Sequence, residues 1–238
     1  MFLDTSKRSE RTEIMDDLEM EGDLLSRSLA KLDWINKWLG GNDVTLNGLD
    51  QLIANHPKDK VLKIVDIGSG SGDMLRLVTD KLRKQGRKVD ILGMDANDFT
   101  VNYARKESAK YPEIKYKTEY VSTATFENLD YDILLGTLFL HHLKDDDIID
   151  VMRIGAQKAK LGVVINDLNR SQVAYFLFNL LTLFIPNPMI RQDGLTSILR
   201  GFKRPDLEKY SAALEVEKYT IKWMWAFRFQ WILFKKKY

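Results

Sequence analysis

Leu62–Asp73 reads LKIVDIGSGSGD, and this stretch decides the fold. The run from Val61 to Ile67 is rich in Val, Ile and Leu and stops at three glycines on alternate positions, Gly68, Gly70 and Gly72. Beyond them Met74, Leu75, Leu77, Val78 and Leu82 fall at helical spacing. The order strand, glycine loop, helix is that of a nucleotide pocket in a parallel sheet. Glycine suits such a loop because it adopts positive φ without strain and, lacking a Cβ, lets the backbone approach a ligand. The free N–H groups at the start of the following helix point at whatever is bound.

The spacing narrows the ligand. A dinucleotide fingerprint requires Gly or Ala at the sixth position of the loop, where this chain has Asp73, and the Gly-Lys-Ser/Thr of a P-loop is absent. An acid facing the pocket suits a ligand with a positive charge better than one with two phosphates. Val65–Asp66–Ile67–Gly68–Ser69–Gly70–Ser71–Gly72 resembles the first motif of the class I S-adenosylmethionine-dependent methyltransferases at every defined position: hydrophobic, Asp/Glu, x, Gly, x, Gly, x, Gly. The resemblance implies a Rossmann-like methyltransferase fold: a doubly wound α/β core with a seven-stranded, mostly parallel sheet. It implies S-adenosylmethionine as cofactor, its methionine portion held by Asp66 and the loop Gly68, Ser69, Gly70 and Gly72.

A second strand, Val89 to Met94, ends at Asp95, an acid roughly 20 residues beyond the glycines, where a carboxylate can accept both hydroxyl protons of a ribose. The resemblance places the same acid on the ribose and sets Ala96 and Asn97 beside the adenine. After the third strand, Ile114 to Val121, many relatives carry an Asp for the adenine amino group; here stand Ser122, Thr123, Ala124 and Thr125, so Ser122, Thr123 or backbone groups take that place. The fourth strand, Leu129–Gly136, runs into Thr137–Leu138–Phe139–Leu140–His141–His142. By resemblance Thr137 and Leu138 lie near the transferring methyl, and paired histidines here are similar to those of ubiquinone- and menaquinone-type small-molecule enzymes. An imidazole at the pocket edge can remove a phenol proton, and one that fixes the turn by hydrogen bonding is the alternative. Adjacent histidines are poor metal-ligand spacing and no third ligand is signalled, so no metal is expected.

The fifth strand, Leu161–Ile165, is followed by Asn166–Asp167–Leu168–Asn169–Arg170–Ser171, polar residues just past a strand's carboxyl end. Asp167 and Arg170 are the candidates for positioning substrate, with Asp167 beside His141 and His142 as catalytic candidates. The segment Val173 to Ile185 is apolar around most of its circumference and must be buried, meet a partner or wall a greasy pocket. It carries Tyr175 and Phe176 as substrate-wall candidates. Ahead of the core, Leu24, Leu25, Leu29, Leu32, Ile35, Trp38 and Leu39 make a helical stripe of the kind that packs on a core; by resemblance this segment also covers the cofactor, so Trp34 or Trp38 can line the pocket. A sixth strand, Glu215–Met224, and a seventh, Trp225–Phe234, form an antiparallel end to the sheet.

The whole chain sets the bounds. Its 238 residues, 45% hydrophobic, suffice for one sizeable α/β domain. A net charge of +2 gives no field that points to nucleic acid, and the Lys235–Lys236–Lys237 tail reads as a solvated end. The amino-methylating nucleic-acid enzymes resemble this core but carry Asn/Asp–Pro–Pro–aromatic where this chain reads Gly136–Thr137–Leu138–Phe139. The absence of cysteine excludes disulfides and thiolate metal sites. The chain opens without a secretory signal, and its longest apolar stretch falls short of the roughly 20 residues that span a bilayer, so a cytoplasmic protein without stable membrane insertion is expected.

The reading that follows divides the chain into a helical N-terminal cap at 1–59 and a methyltransferase core at 60–238, with 171–203 as an insertion on the substrate side. The expected activity is methyl transfer to oxygen or carbon of a small hydrophobic or aromatic acceptor, with a homodimer left open. A cofactor-binding protein without turnover and a nicotinamide-dependent oxidoreductase are the alternatives.

Overall fold

The computed structural model describes residues 3–185 and 187–235. Pro186 and the tail lysines Lys236 and Lys237 lie outside them. Among the described residues seven strands form one sheet: β1 (Leu62–Ile67), β2 (Val89–Asp95), β3 (Ile114–Thr118), β4 (Ile133–Thr137), β5 (Gly162–Leu168), β6 (Tyr219–Met224) and β7 (Arg228–Phe234). The order across the sheet is β3-β2-β1-β4-β5-β7-β6. The first five strands run parallel, and β7 enters antiparallel between β5 and β6. β1 pairs with β2 on one side and β4 on the other, so the strand order reverses there. Ile67 pairs with Gly136, which brings the exits of β1 and β4 side by side at the switch point where this topology opens a crevice.

The central strands are buried on both faces, which is why they read as nearly continuous apolar runs, whereas the outer strands β3 and β6 keep exposed positions. Val65, Ile67, Leu134, Val163, Ile165 and Trp231 face one way. They meet Ile148, Val151 and Met152 of α5 (Asp145–Lys158) and Leu207 and Tyr210 of α8 (Arg204–Ala213). Ile64, Ile91, Ile133, Leu135, Val164 and Ile232 face the other way. There they pack on α3 (Asp73–Lys84), on α4 (Asp98–Glu107) and on Leu49, Leu52 and Ile53 of α2 (Asn42–Ile53). α2 thus shares a core with the sheet, although it precedes residue 60. Leu25 and Leu29 of α1 (Asp23–Trp38) pack with Met189 of α7 (Pro188–Arg200), and Ile35 with Ile185 and Ile190, to make a smaller second core.

β4, β6 and β7 begin later than the sequence reading has them, at Ile133, Tyr219 and Arg228, and three further elements differ from it. β5 continues through Asn166 and Asp167 to Leu168, pairing them with Gln230, Phe229 and Arg228. Polar residues persist in that buried strand because each finds a partner: Asn166 Nδ2 donates to Gly41 O at 2.9 Å and to Thr45 Oγ1 at 3.0 Å, and Asp167 is taken by His141. The apolar segment after β5 forms α6 (Gln172–Leu181) and a 3-10 turn at Thr182–Phe184. It is not plain core: within α6 only Ala174 is buried, and Phe176 is 65% exposed. β3 ends at Thr118, before Val121. No described helix is long and apolar enough to cross a membrane.

Candidate functional site

The glycine loop joins β1 to α3 at the switch point. Gly70 has φ +52°, and a Cβ there would meet no atom within 4 Å, so the loop leaves an empty cradle on its open side. Gly72 behaves differently: its Cβ would run into the Tyr116 hydroxyl, so this glycine lets the helix start pack against β3 and lies outside the cavity wall. Gly68, Ser69 and Gly70 border a cavity of about 1530 Å³ that also takes in Asp66, Asp73 and Asp95.

The acids around the loop are short of cations. Asp66 is 1% exposed, and its Oδ1 has no hydrogen-bond partner; the Ser69 Oγ is likewise unpaired. Burial, helped by the charges of Asp73 and Asp95, pushes the Asp66 carboxyl up to about 8. Burial also raises Asp73 and Asp95, the latter against hydrogen bonds from the amides of Asn97 at 3.1 Å and Gly70 at 3.0 Å. Asp33 of α1, which accepts from Ser71 Oγ at 2.7 Å, is pushed up to about 7 by burial and then by Asp73. Arg76 stands 3.6 Å from Asp33. The pocket therefore offers carboxylates and orphaned acceptors to a ligand that brings positive charge and donors.

This arrangement fixes a pH dependence. Asp66 ionises near 4 when unfolded and near 8 when folded, so folding takes up a proton between those values, and stability is lost as pH rises through that window. Asp66→Asn removes the cost. Its unliganded form should gain on the order of 2 kcal/mol at pH 8, roughly 5 °C in Tm, with the gain vanishing toward pH 4. Thermal melts of the two proteins across that range check it; a variant less stable than wild type at pH 8 would show Asp66 to be paired.

Asp95 ends β2 with Ala96 and Asn97 beside it on the cavity wall. The Asn97 side chain is fully used: Oδ1 accepts from Thr100 N at 2.7 Å, and Nδ2 donates to the carbonyls of Leu18 at 2.9 Å and Met20 at 2.8 Å. On the β3 side the wall is Glu119, Tyr120 and Val121 rather than Ser122 and Thr123. Ser122 opens a 3-10 turn and is occupied by Thr125.

Beyond β4 the wall continues through Thr137, Leu138 and Phe139 to the histidines. Thr137 Oγ1 lies 2.9 Å from Thr45 Oγ1, and Leu138, at φ +54°, donates its amide to Asn166 O at 2.8 Å. His141 is buried with Nδ1 2.7 Å from Asp167 Oδ1; His142, half-buried, has Nδ1 2.6 Å from Asp16 Oδ1. A carboxylate partner makes Nδ1 the protonated nitrogen of each neutral ring. Burial tends to raise Asp167, but the His141 charge and hydrogen bond outweigh it and hold the acid low. The same contest at Asp16 ends low through His142, the Glu13 amide and Arg200. Glu13 lies 3.7 Å from His141 Nε2, accepts from Ser197 Oγ at 2.7 Å, and is pushed up to about 7, chiefly by burial.

Glu13 and Asp16 arrive on an N-terminal strap, residues 5–20, laid along α7. Ser9 N donates to Leu199 O at 3.0 Å, and the amides of Ile14 and Met15 donate to the Asp193 carboxylate at 2.7 and 3.1 Å. Arg8 reaches the carbonyls of His141 and Leu143, both at 3.0 Å, and Arg200 bonds Asp16 Oδ2 at 2.5 Å. Arg8, Glu13, Asp16, Asp33 and Arg200 escaped the sequence reading; their partners are distant in the chain, and the charged run before α1 has no periodicity to mark them.

The substrate candidates divide. Trp38, 63% exposed, borders the cavity with Leu177, Phe178, Leu181 and Phe227. Tyr175 and Phe176 do not, because positions 174, 177, 178 and 181 form the cavity face of α6 and turn 175 and 176 elsewhere. Arg170 borders the cavity, but its guanidinium is spent on Thr5 O at 3.0 Å, Gly201 O at 2.6 Å and Asp206 at 3.0 Å, so it ties the strap and α8 together. Asp167 stays behind His141, off the cavity wall.

Residues 64–160 match a family model described as a methyltransferase domain. No curated protein matches the chain in sequence. Among solved structures it is similar to the plantazolicin methyltransferase BpumL in complex with SAH, at 13% identity over 88% of this chain and 90% of that one, with a TM-score of 0.67. It is similar to the magnesium protoporphyrin IX methyltransferase ChlM from Synechocystis PCC 6803 with bound SAH, at 15% identity, 82% of each chain and a TM-score of 0.53. Human N-acetylserotonin methyltransferase in complex with SAM aligns at 12% identity over 90% of this chain and 56% of that one, with a TM-score of 0.62. At these identities the likeness is one of fold.

Proposed function

We propose that the chain, whose residues 64–160 match a methyltransferase domain, transfers a methyl group from S-adenosylmethionine to oxygen or carbon of a small hydrophobic or aromatic acceptor. One observation carries the reading: a single cavity joins the acid-rich glycine loop to the wall formed by Trp38, Leu177, Phe178, Leu181 and Phe227, and passes the histidines on the way. The unpaired Asp66 Oδ1 and Ser69 Oγ and the empty cradle at Gly70 suit the amino acid portion of the cofactor. Asp95 suits the ribose hydroxyls, and Ala96, Glu119 and Val121, on the cavity wall nearby, suit the base. The named substrates of two similar folds, a magnesium protoporphyrin and N-acetylserotonin, are small molecules.

When bound, S-adenosylmethionine supplies an electrophilic methyl on a positively charged sulfur. The chain's own residues then have three tasks. Asp66 and Asp95 fix the donor; the apolar wall holds the acceptor in line and excludes water, which supplies much of the barrier reduction. For an oxygen acceptor, His141 or His142 takes the hydroxyl proton on Nε2 as the new bond forms. Asp167 and Asp16, on the Nδ1 side, orient the rings and stabilise the imidazolium.

His141→Ala should lower turnover of an oxygen acceptor by about 10²–10⁴ while S-adenosylhomocysteine still binds. Mass spectrometry of reactions with hydrophobic phenols, quinone precursors, short peptides and RNA tests the acceptor class. Transfer only to peptides or RNA would overturn it, and cofactor binding without any methylated product would favour a binding protein.

A further inference from the structure

We propose that Glu13, His141 and His142 form a site for one divalent transition-metal cation of the Zn²⁺ type on the wall of the cavity. One donor atom from each lies within 4.8 Å of the other two. His141 Nε2 and Glu13 Oε1 stand 3.7 Å apart, close to the roughly 3.4 Å between two donors on a tetrahedral cation with bonds of about 2.1 Å. The other two edges, neither longer than 4.8 Å, close with at most about 1.4 Å of side-chain movement each.

The shell around these three has the form that metal-binding histidines take. A ligating imidazole usually gives its other nitrogen to a carboxylate, which fixes the ring and raises its basicity. Both rings do so here, His141 to Asp167 and His142 to Asp16, leaving Nε2 of each as the nitrogen with no hydrogen bond among the described residues. The Glu13 side chain is 4% exposed; Ser197 holds Oε2, while Oε1 is buried with no hydrogen-bond partner. Arg200 Nη1 stands 3.6 Å from this oxygen without a hydrogen bond to it, so a cation held between it and the imidazoles would supply the missing partner.

Charge agrees. Glu13, Asp16 and Asp167 are opposed by Arg200, which stands 3.6 Å from Glu13 and on Asp16. The carboxylates outnumber the guanidinium beside them, which favours a bound cation. Two nitrogens and one carboxylate, with no thiolate, suit Zn²⁺, Co²⁺ or Fe²⁺ better than Mg²⁺. Adjacent histidines are a poor ligand pair on a regular helix, but these sit in a 3-10 turn, Leu140–His142, and their rings lie 4.2 Å apart. The third donor comes from the strap, over a hundred residues away, where spacing gives no hint of it.

Three protein ligands leave a cation a position facing the cavity. There it would bind an acceptor oxygen and lower the pKa of its hydroxyl, so that the proton passes to water before transfer and the histidines act as ligands rather than proton acceptors. That role rests on the methyl-transfer reading; binding of the cation does not.

The full-length protein, stripped with a chelator and dialysed, is titrated with Co²⁺ and its visible spectrum followed, with Zn²⁺ content measured in parallel. One equivalent of Co²⁺ with a histidine-ligated spectrum is expected, and Glu13→Gln and His142→Ala each weaken binding at least 100-fold. Should either variant misfold, X-ray absorption on the wild-type Co²⁺ form still reads two imidazole ligands and one carboxylate. No cation retained by wild type, or equal retention in folded variants, overturns the proposal. Calorimetry with S-adenosylhomocysteine on the stripped protein separates this failure from failure of the cofactor reading.

Discussion

Asp95→Ala lowers the affinity for S-adenosylhomocysteine at least about 100-fold, because a charged acceptor that holds two hydroxyls is worth roughly 1.5–3 kcal/mol per bond. The carboxylate is already built for the task. Amides of Gly70 and Asn97 hold it at 3.0 and 3.1 Å, so it enters the complex without reorganising. Burial raises its pKa in the folded protein, which costs stability as pH rises above about 4. The variant should therefore fold, and at pH 8 its Tm should equal or exceed that of wild type. Asp95→Asn, which keeps one acceptor oxygen, should recover part of the loss. Calorimetric titration of the three proteins decides the matter. Undiminished affinity in Asp95→Ala would remove the ribose from the tip of β2 and the methyl-donor reading with it.

Deleting residues 2–20 abolishes turnover, by more than about 10³-fold, and lowers Tm by roughly 10 °C or more. The deletion takes away Glu13 and Asp16, the groups against the two histidines, and one side of the cavity wall. It also strands what the strap had satisfied. Arg170 loses Thr5 O, and Asp193, a buried acid, loses the two amides that oppose its burial. Each buried polar group left unpaired costs about 1–3 kcal/mol, and a chain of this size loses about 2–4 °C per kcal/mol. Scanning calorimetry and a turnover assay on the truncated protein check both parts. Retained turnover would show the strap to be dispensable and His142 to need no partner.

What could be read from the sequence followed from locality. The motif at 65–72 is contiguous, Asp95 lies at a fixed distance from it, and the strands and helices announce themselves by period. The cavity face of α6 was also there to read, since 174, 177, 178 and 181 repeat at helical spacing; Tyr175 and Phe176 drew attention by size although they sit off that face. Asn166 and Asp167 read as residues past the end of the strand because nothing nearby in the chain satisfies them. Their partners are Gly41, Thr45 and His141, and with those in place the two residues complete a buried strand. The strap was illegible for the same reason. Glu13 meets Ser197 and Asp16 meets His142 and Arg200 across separations of 126 to 184 residues, which no window along the chain can show.

Asn97 grips the carbonyls of Leu18 and Met20, and Asp16, two residues before Leu18, grips His142. The cavity wall next to Asp95 and the His142 imidazole are thus moored to one short length of main chain. A displacement at either mooring pulls on the other through two to four peptide units. Donor and acceptor occupancy should therefore be felt mutually, with no wholesale rearrangement of the sheet beneath them.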